Sequence, residues 1–255
     1  MSLELDDVNF RRGSFSLKNI DIRVNEHTVL GIGGQNGSGK TTLVRVMYGF
    51  LHRDSGTIRL DGKILEDYKM IDRARKISVV NQEISEPFNF TVEDVVSLSG
   101  YSSEEKRNIG DALDLCGIGY LRHRSFSEIS GGEKRLVIIA AAVYQNSKFV
   151  IMDEPTAFLD VDKELRVMKI IRSLKNAGKT VVLVMHDINL LYNLCDEVVF
   201  IKNGSMVASG STEDTMTVEN LLKTFDVKFK IYDNGTPYKF IPDDEMDSAR
   251  MRRFS

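Results

Sequence analysis

The 255-residue chain predicts an α/β fold: a mainly parallel sheet covered by helices on both faces and interrupted by a helical insert. Three observations predict it. Short, unbroken apolar strands alternate with helical segments, the pattern of strands buried on both faces. A glycine-rich loop joins one such strand to a helix. Between Glu83 and Gln145 the alternation gives way to consecutive helical segments.

Residues 3–10 and 15–24 alternate roughly between apolar and polar, as half-buried strands do. Residues 28–33 form an apolar strand that runs into glycines, and residues 40–51 read as the helix beyond it. Residues 56–60 and 77–80 read as further strands. In the insert, Thr91-Val-Glu-Asp94 opens a helix with a capping-box pattern, and residues 104–116 and 130–145 are also helical. Alternation then resumes. Residues 149–152 are a buried strand. Residues 160–177 are an amphipathic helix with Leu165, Met168, Ile171 and Leu174 on one side and Gly178 as its C-cap. Residues 180–185 and 197–201 are buried strands. The tail, 243–255, is mostly charged or small and is expected to fray. No internal repeat is visible.

Composition narrows the class. The 42% hydrophobic and 28% charged residues are ordinary for a globular protein. A net charge of −3 gives no basic surplus to make nucleic acid the main partner. Cys116 and Cys195 are the two cysteines, too few for a disulfide framework and in no metal-binding pattern, so a reduced, cytosolic compartment is expected. The acidic, strand-like start MSLELDDVNF is not a signal peptide. The longest apolar run, 136–144, falls short of the roughly 20 residues that cross a bilayer. Any role at a membrane therefore needs other chains to span it.

Gly34-Gln-Asn-Gly-Ser-Gly-Lys-Thr41 fits G-x-x-x-x-G-K-[ST] in full. Glycines let the backbone curl so that successive N–H groups point at phosphate oxygens. The helix that follows adds its positive N-terminal end. Lys40 is placed to reach the β and γ phosphates, and Thr41 offers a hydroxyl to Mg²⁺. These residues, Gly34, Gln35, Asn36, Gly37, Ser38, Gly39, Lys40 and Thr41, with Thr42 beside them, are the expected ATP site. Phe149-Val-Ile-Met-Asp153-Glu154 is a buried strand that ends in two acids. Asp153 is placed to hold Mg²⁺. Glu154, one residue past the strand end, can aim at an attacking water and is the candidate general base.

Ile129-Ser-Gly-Gly-Glu133 lies between these two motifs and resembles the signature of ABC transporter ATPases, usually LSGGQ. Further ABC elements follow in that family's order. Gln82, after the strand 77–81, resembles the Q-loop glutamine and would be a Mg²⁺ ligand and catalytic group. Asp153-Glu-Pro-Thr156 resembles the end of Walker B, Phe158-Leu-Asp160 the D-loop, and His186 the catalytic H-loop histidine. The resemblance covers about residues 2–225. It implies a P-loop ABC-type ATPase with an N-terminal antiparallel β-subdomain. It divides the chain into an ATP-binding core (1–82 and 146–225), a helical subdomain (83–145) and a C-terminal extension (226–255). Ser130-x-x-Glu133 is also a capping box, and the two readings are compatible, because a capped helix start is itself an anion site.

Arg73-Ala-Arg-Lys-Ile77, Phe88-Asn-Phe-Thr-Val-Glu-Asp-Val-Val96, His186-Asp-Ile-Asn-Leu190 and the segment from Thr217 to Pro242 resemble the importers of iron chelates, haem and vitamin B12. The chain is too short for the regulatory domain of sugar-importer ATPases. By this resemblance two copies form a homodimer that sandwiches two ATP. Each site would take Ser130, Gly131 and Gly132 from the other chain, with Glu133 beside them and Asp160 linking the sites. The implied partners are polytopic membrane permease subunits and, indirectly, a substrate-binding protein. The implied location is the inner face of the cell membrane. A non-transport ABC ATPase, such as the soluble one of iron–sulfur cluster assembly, shares an SGGEK-like signature. The C-terminal segment and the His186 helix favour transport. Three departures stand out. Adenine stacking falls to Phe10, to an Arg12 cation–π contact, or is weak. Glu133 brings a negative charge to the signature. Ala141 stands where many members carry Arg.

Overall fold

A computed structural model of the chain describes residues 2–82, 90–102, 108–232 and 239–242. The expected helical residues 104–107, residues 88 and 89, and the tail 243–255 lie outside the described residues.

In chain order the elements begin with β1 (Leu3–Arg12), β2 (Phe15–Val24), β3 (Val29–Gly33), α1 (Lys40–Met47), β4 (Ser55–Leu60), β5 (Lys63–Ile64), α2 (Met70–Lys76) and β6 (Ile77–Val80). The helical stretch holds α3 (Val92–Ser99), α4 (Ile109–Leu115) and α5 (Gly131–Gln145). Then follow β7 (Phe149–Asp153), α6 (Val161–Asn176), β8 (Thr180–Val184), α7 (Ile188–Leu194), β9 (Glu197–Lys202) and β10 (Ser205–Ser211). The described chain closes with α8 (Thr212–Thr215), α9 (Val218–Phe225), β11 (Phe229–Tyr232) and β12 (Lys239–Pro242).

Ten strands form one mixed sheet in the order β5-β4-β1-β2-β10-β9-β3-β8-β7-β6. From β9 to β6 neighbouring strands run parallel. The pairs β1–β2, β1–β4 and β4–β5 are antiparallel, so the N-terminal strands form the antiparallel portion that was expected. The two portions meet where Ser205 of β10 pairs with Lys18 of β2.

Each core strand serves two cores because successive side chains point to opposite faces. On β7, Val150 and Met152 face α5 and α6, while Phe149 and Ile151 face α1 and the N-terminal strands. On β8, Val181 and Leu183 take the first face, Val182 and Val184 the second. This explains the unbroken apolar runs.

Both capping boxes form. Thr91 and Asp94 close the start of α3, and Ser130 and Glu133 close that of α5. Two helices differ from expectation. α1 stops at Met47, not at residue 51, because Gly49 turns the chain at φ 74°. On α6 the buried side is Val167, Ile170, Ile171 and Leu174, while Leu165 is 50% exposed. The expected stripe kept a constant spacing of three, which drifts around a helix by about 60° per step. The mixed three-and-four spacing of the observed set stays on one face.

The C-terminal hairpin β11–β12 docks on α7. Asn189 accepts from the Phe240 N–H at 2.7 Å and donates to its carbonyl at 3.3 Å, and Tyr192 meets the Phe240 ring edge-on. Phe229 and Phe240 are buried in the core beside the helical stretch.

Candidate active site

The loop between β3 and α1 holds its shape through glycine. Gly34 lies at φ 152°, and a Cβ there would meet the Ile201 carbonyl oxygen at 2.2 Å. Gly39, the N-cap of α1, lies at φ 109° with its α-carbon against the Phe15 ring, where a Cβ would come within 2.5 Å. Lys40 is buried, and its ammonium donates to the carbonyls of Gly34 at 2.8 Å and Gln35 at 2.9 Å. Burial lowers its pKa, and the nearby Glu154 and Asp153 charges oppose that shift. Gln35 also donates to the Phe225 carbonyl at 2.6 Å, tying the loop to the end of α9. The Ser38 hydroxyl is buried and has no hydrogen-bond partner among the described residues.

The parallel strands deliver the acids to this loop. Asp153 ends β7 and is 3% exposed. Burial raises its pKa, partly offset by a hydrogen bond from Thr41, and its Oδ1 has no partner among the described residues. Glu154 follows at φ 49°, in the left-handed region that non-glycine residues seldom occupy. Its N–H is held by the Val184 carbonyl at 3.0 Å. Gln82 donates to its Oε2 at 2.9 Å, and His186 Nδ1 lies 3.9 Å from its Oε1.

One cleft of about 660 Å3 joins these parts. It is lined by Asn36, Gly37, Gly39, Lys40, Thr41, Thr42, Gln82, Glu154 and His186, with Phe15, Ala157 and Phe158 at its sides. This size is in the range of small-molecule sites. Gly34, Gln35, Ser38 and Asp153 are not among its lining residues; Gly34 and Gln35 act on it through the carbonyls that hold Lys40. Phe10 and Arg12 do not line it. Phe10 is an inward residue of β1 and is buried in the core. Arg12 is exposed at the end of β1 and pairs across the hairpin with Phe15. The aromatic ring that does line the cleft, Phe15, stands opposite Arg12 at the start of the second strand.

Ser130, Gly131, Gly132 and Glu133 lie outside this cleft. Both oxygens of Glu133 are engaged. Oε2 accepts from the Ser130 N–H and hydroxyl, each at 2.8 Å, and Oε1 accepts from Tyr120 at 2.9 Å. The Ser130 N–H and then its hydroxyl hold the Glu133 pKa down, so the extra charge is turned into the helix start. Asp160 caps α6 by accepting from the Lys163 N–H at 3.0 Å, and it also pairs with the Lys163 ammonium.

The sequence reading missed Arg135. It is buried on α5 and donates to main-chain carbonyls at the ends of β6 and β7. A signal was present: Arg135 shares a helix face with Ile139 and Ala142, at i+4 and i+7, both buried.

A glycine-rich loop between strand and helix, with two acids at the end of the parallel strand β7, separated from β3 by β8, defines a P-loop ATPase. The ABC transporter family model matches residues 17–157, and the chain belongs to that family; it is an ATP hydrolase of the ABC type. An ABC transporter ATP-binding protein of Bacillus subtilis is 31% identical, over 82% of this chain and 50% of its own length, so the chain spans half of that relative. The hemin import ATP-binding protein HmuV of Rhodopseudomonas palustris is 30% identical over 93% of this chain and 96% of its own. Among solved structures, a putative metal-chelate type ABC transporter in an inward-facing conformation matches with TM-score 0.80 and 26% identity, over 96% of this chain and 98% of that one.

Proposed function

We propose that this chain energises an importer of a metal chelate, an iron–siderophore, haem, cobalamin or related complex, as a homodimer beneath polytopic permease subunits on the cytoplasmic face of the membrane. A substrate-binding protein would deliver the cargo without touching this chain. The likeness to the hemin import and metal-chelate proteins over nearly their whole lengths supports the substrate class.

The observation that carries the chemistry is Glu154, placed between Gln82 and His186 in the same cleft as Lys40. ATP lies with its phosphates in the loop 34–41 and its base toward Phe15. A water oxygen attacks the γ-phosphorus while Glu154 takes the water's proton. The bond from that phosphorus to the bridging oxygen breaks, giving ADP and inorganic phosphate. Gln82 and His186 hold the carboxylate and the water in line. Lys40 and the loop N–H groups stabilise the charge on the phosphoryl oxygens.

The donor set fits magnesium. Asp153 Oδ1 is buried with no partner among the described residues, and the Thr41 hydroxyl stands beside the same carboxylate. Gln82 commits its amide nitrogen to Glu154, which leaves its oxygen to offer. Among the described residues no cluster of three or more His, Cys, Asp or Glu side chains could cage a metal. Magnesium accepts such a site, since it is commonly bound by one or two carboxylates plus substrate phosphates. When bound, it would neutralise phosphate charge.

Phe158, 99% exposed, lines the cleft, and Val161, 75% exposed, starts α6 three residues further on. Apolar residues so placed support a second copy that closes over the nucleotide with its own Ser130 to Gly132, while Asp160 links the two sites. Met70, Leu98 and Tyr101 are exposed on α2, α3 and the 3-10 turn Gly100–Ser102 that packs against both, which supports permease docking there. Among the described residues no helix is long and apolar enough to cross a membrane, so those subunits must do so. Co-purification of the tagged chain from native membranes tests the reading. A polytopic membrane protein is the expected companion, and recovery of soluble partners alone would overturn it.

A further inference from the structure

Arg135 is 4% exposed, and among the described residues no carboxylate pairs with it. Its guanidinium is held by carbonyl oxygens alone. Nη1 donates to Asn81 and, at 3.4 Å, to Gln82. Nη2 donates to Asp153 at 3.0 Å and to Glu154. One planar fork thus bridges the main chains of the two strand ends that carry Gln82 and Glu154. Only arginine offers donors in that fixed plane.

This matters because Glu154 holds an uncommon backbone conformation, at φ 49°. Such residues persist where their surroundings over-determine them. Here the Glu154 N–H is fixed by Val184, and its carbonyl accepts from both Arg135 and, at 3.1 Å, the Ala157 N–H; of these, only Arg135 also reaches the β6 end that carries Gln82. The pin also has a distant end. Arg135 stands little more than one turn from Ser130 on the same helix, so the element that would present the signature to a partner's nucleotide is bonded directly to this chain's own candidate base.

We infer that Arg135 is a positioning residue: its fork sets the Glu154 backbone relative to Gln82 and carries movement of the signature helix to that carboxylate. The inference rests on Glu154 acting as the base.

The test compares steady-state ATP hydrolysis by wild type, Arg135→Lys, Arg135→Ala and Glu154→Gln. Lysine keeps the charge and the buried stem but cannot span both strand ends. Arg135→Lys should lower kcat by about 10–100-fold, a misplacement effect, with KM for ATP within about threefold and a retained melting transition. Millimolar guanidinium should restore turnover to Arg135→Ala, while methylammonium should not. Arg135→Lys with kcat within about twofold of wild type would overturn the inference, as would a loss that follows melting temperature with no guanidinium rescue. Should Arg135→Lys fail to fold, the guanidinium rescue of Arg135→Ala decides alone. Glu154→Gln separates the two readings: if it retains turnover, the base assignment fails, whatever the Arg135 variants do.

Discussion

Gln82 and Glu154 meet because their strands are in register. Val80 of β6 pairs with Met152 of β7, and both side chains lie two residues further on. The Gln82 amide therefore reaches the carboxylate at 2.9 Å with no loop rearrangement. Removal of the carboxylate charge leaves this amide contact and the phosphate loop in place. Glu154→Gln should bind ATP as wild type does, accumulate an ATP-bound dimer, and lose about 10²–10⁴-fold in turnover, the usual range for a general base. A single-turnover assay with gel filtration reads both.

The signature residues lie outside the chain's own cleft. Ser130→Arg should leave ATP binding by the monomer intact and block ATP-driven dimerisation. The check is equilibrium nucleotide binding beside light scattering with and without ATP. A normal dimer would remove the basis for a shared site.

Phe15 and Phe10 sit on one hairpin but do different work. Phe15 borders the cleft and covers Gly39, while Phe10 is buried in the core. Phe15→Ala should weaken ATP binding by about 1–3 kcal/mol, the range for a base stacked on an aromatic ring, with little change in melting temperature. Phe10→Ala should cost about 3–5 kcal/mol of stability and leave nucleotide affinity nearly unchanged in protein that remains folded. Calorimetric titration and thermal melting distinguish them.

Asp153 opposes folding at neutral pH. Burial raises its pKa in the folded state, so the native protein holds this proton more tightly than the unfolded chain. Its contribution to stability is greatest below the unfolded pKa and is lost as pH rises through the folded one. Asp153→Asn should therefore melt higher than wild type at pH 7, while ATP turnover collapses. A gain of about 1 kcal/mol would read as about 2–4 °C. The difference should shrink toward pH 4, which a melting series across pH measures.

The motifs legible in the sequence were those whose chemistry is local. The phosphate loop, both capping boxes and the strand ending in Asp153 each depend on residues a few positions apart, and each forms as read. Relationships set by side-chain direction across elements were not legible. Nothing in its own strand tells that Phe15, not Phe10, faces the cleft; that depends on the pleat and the hairpin register. β10 is rich in serine and only partly buried, so it lacks the apolar run that marked its neighbours. The hairpin β11–β12 earns its place through Asn189 on a distant helix, a partnership no window of sequence contains.

One joint in the sheet bears on affinity. The antiparallel and parallel portions share the single strand pair Lys18–Ser205, and the core around α1 packs the two together. Phe15 belongs to the first portion and the phosphate loop to the second. A nucleotide that lies on both is in effect a bivalent ligand, with base and phosphates as its two valences. Its affinity then depends on the effective concentration that this joint imposes on the second contact once the first has formed. Substitutions that loosen packing at the joint should weaken ATP and leave affinity for inorganic phosphate unchanged, although they touch neither contact.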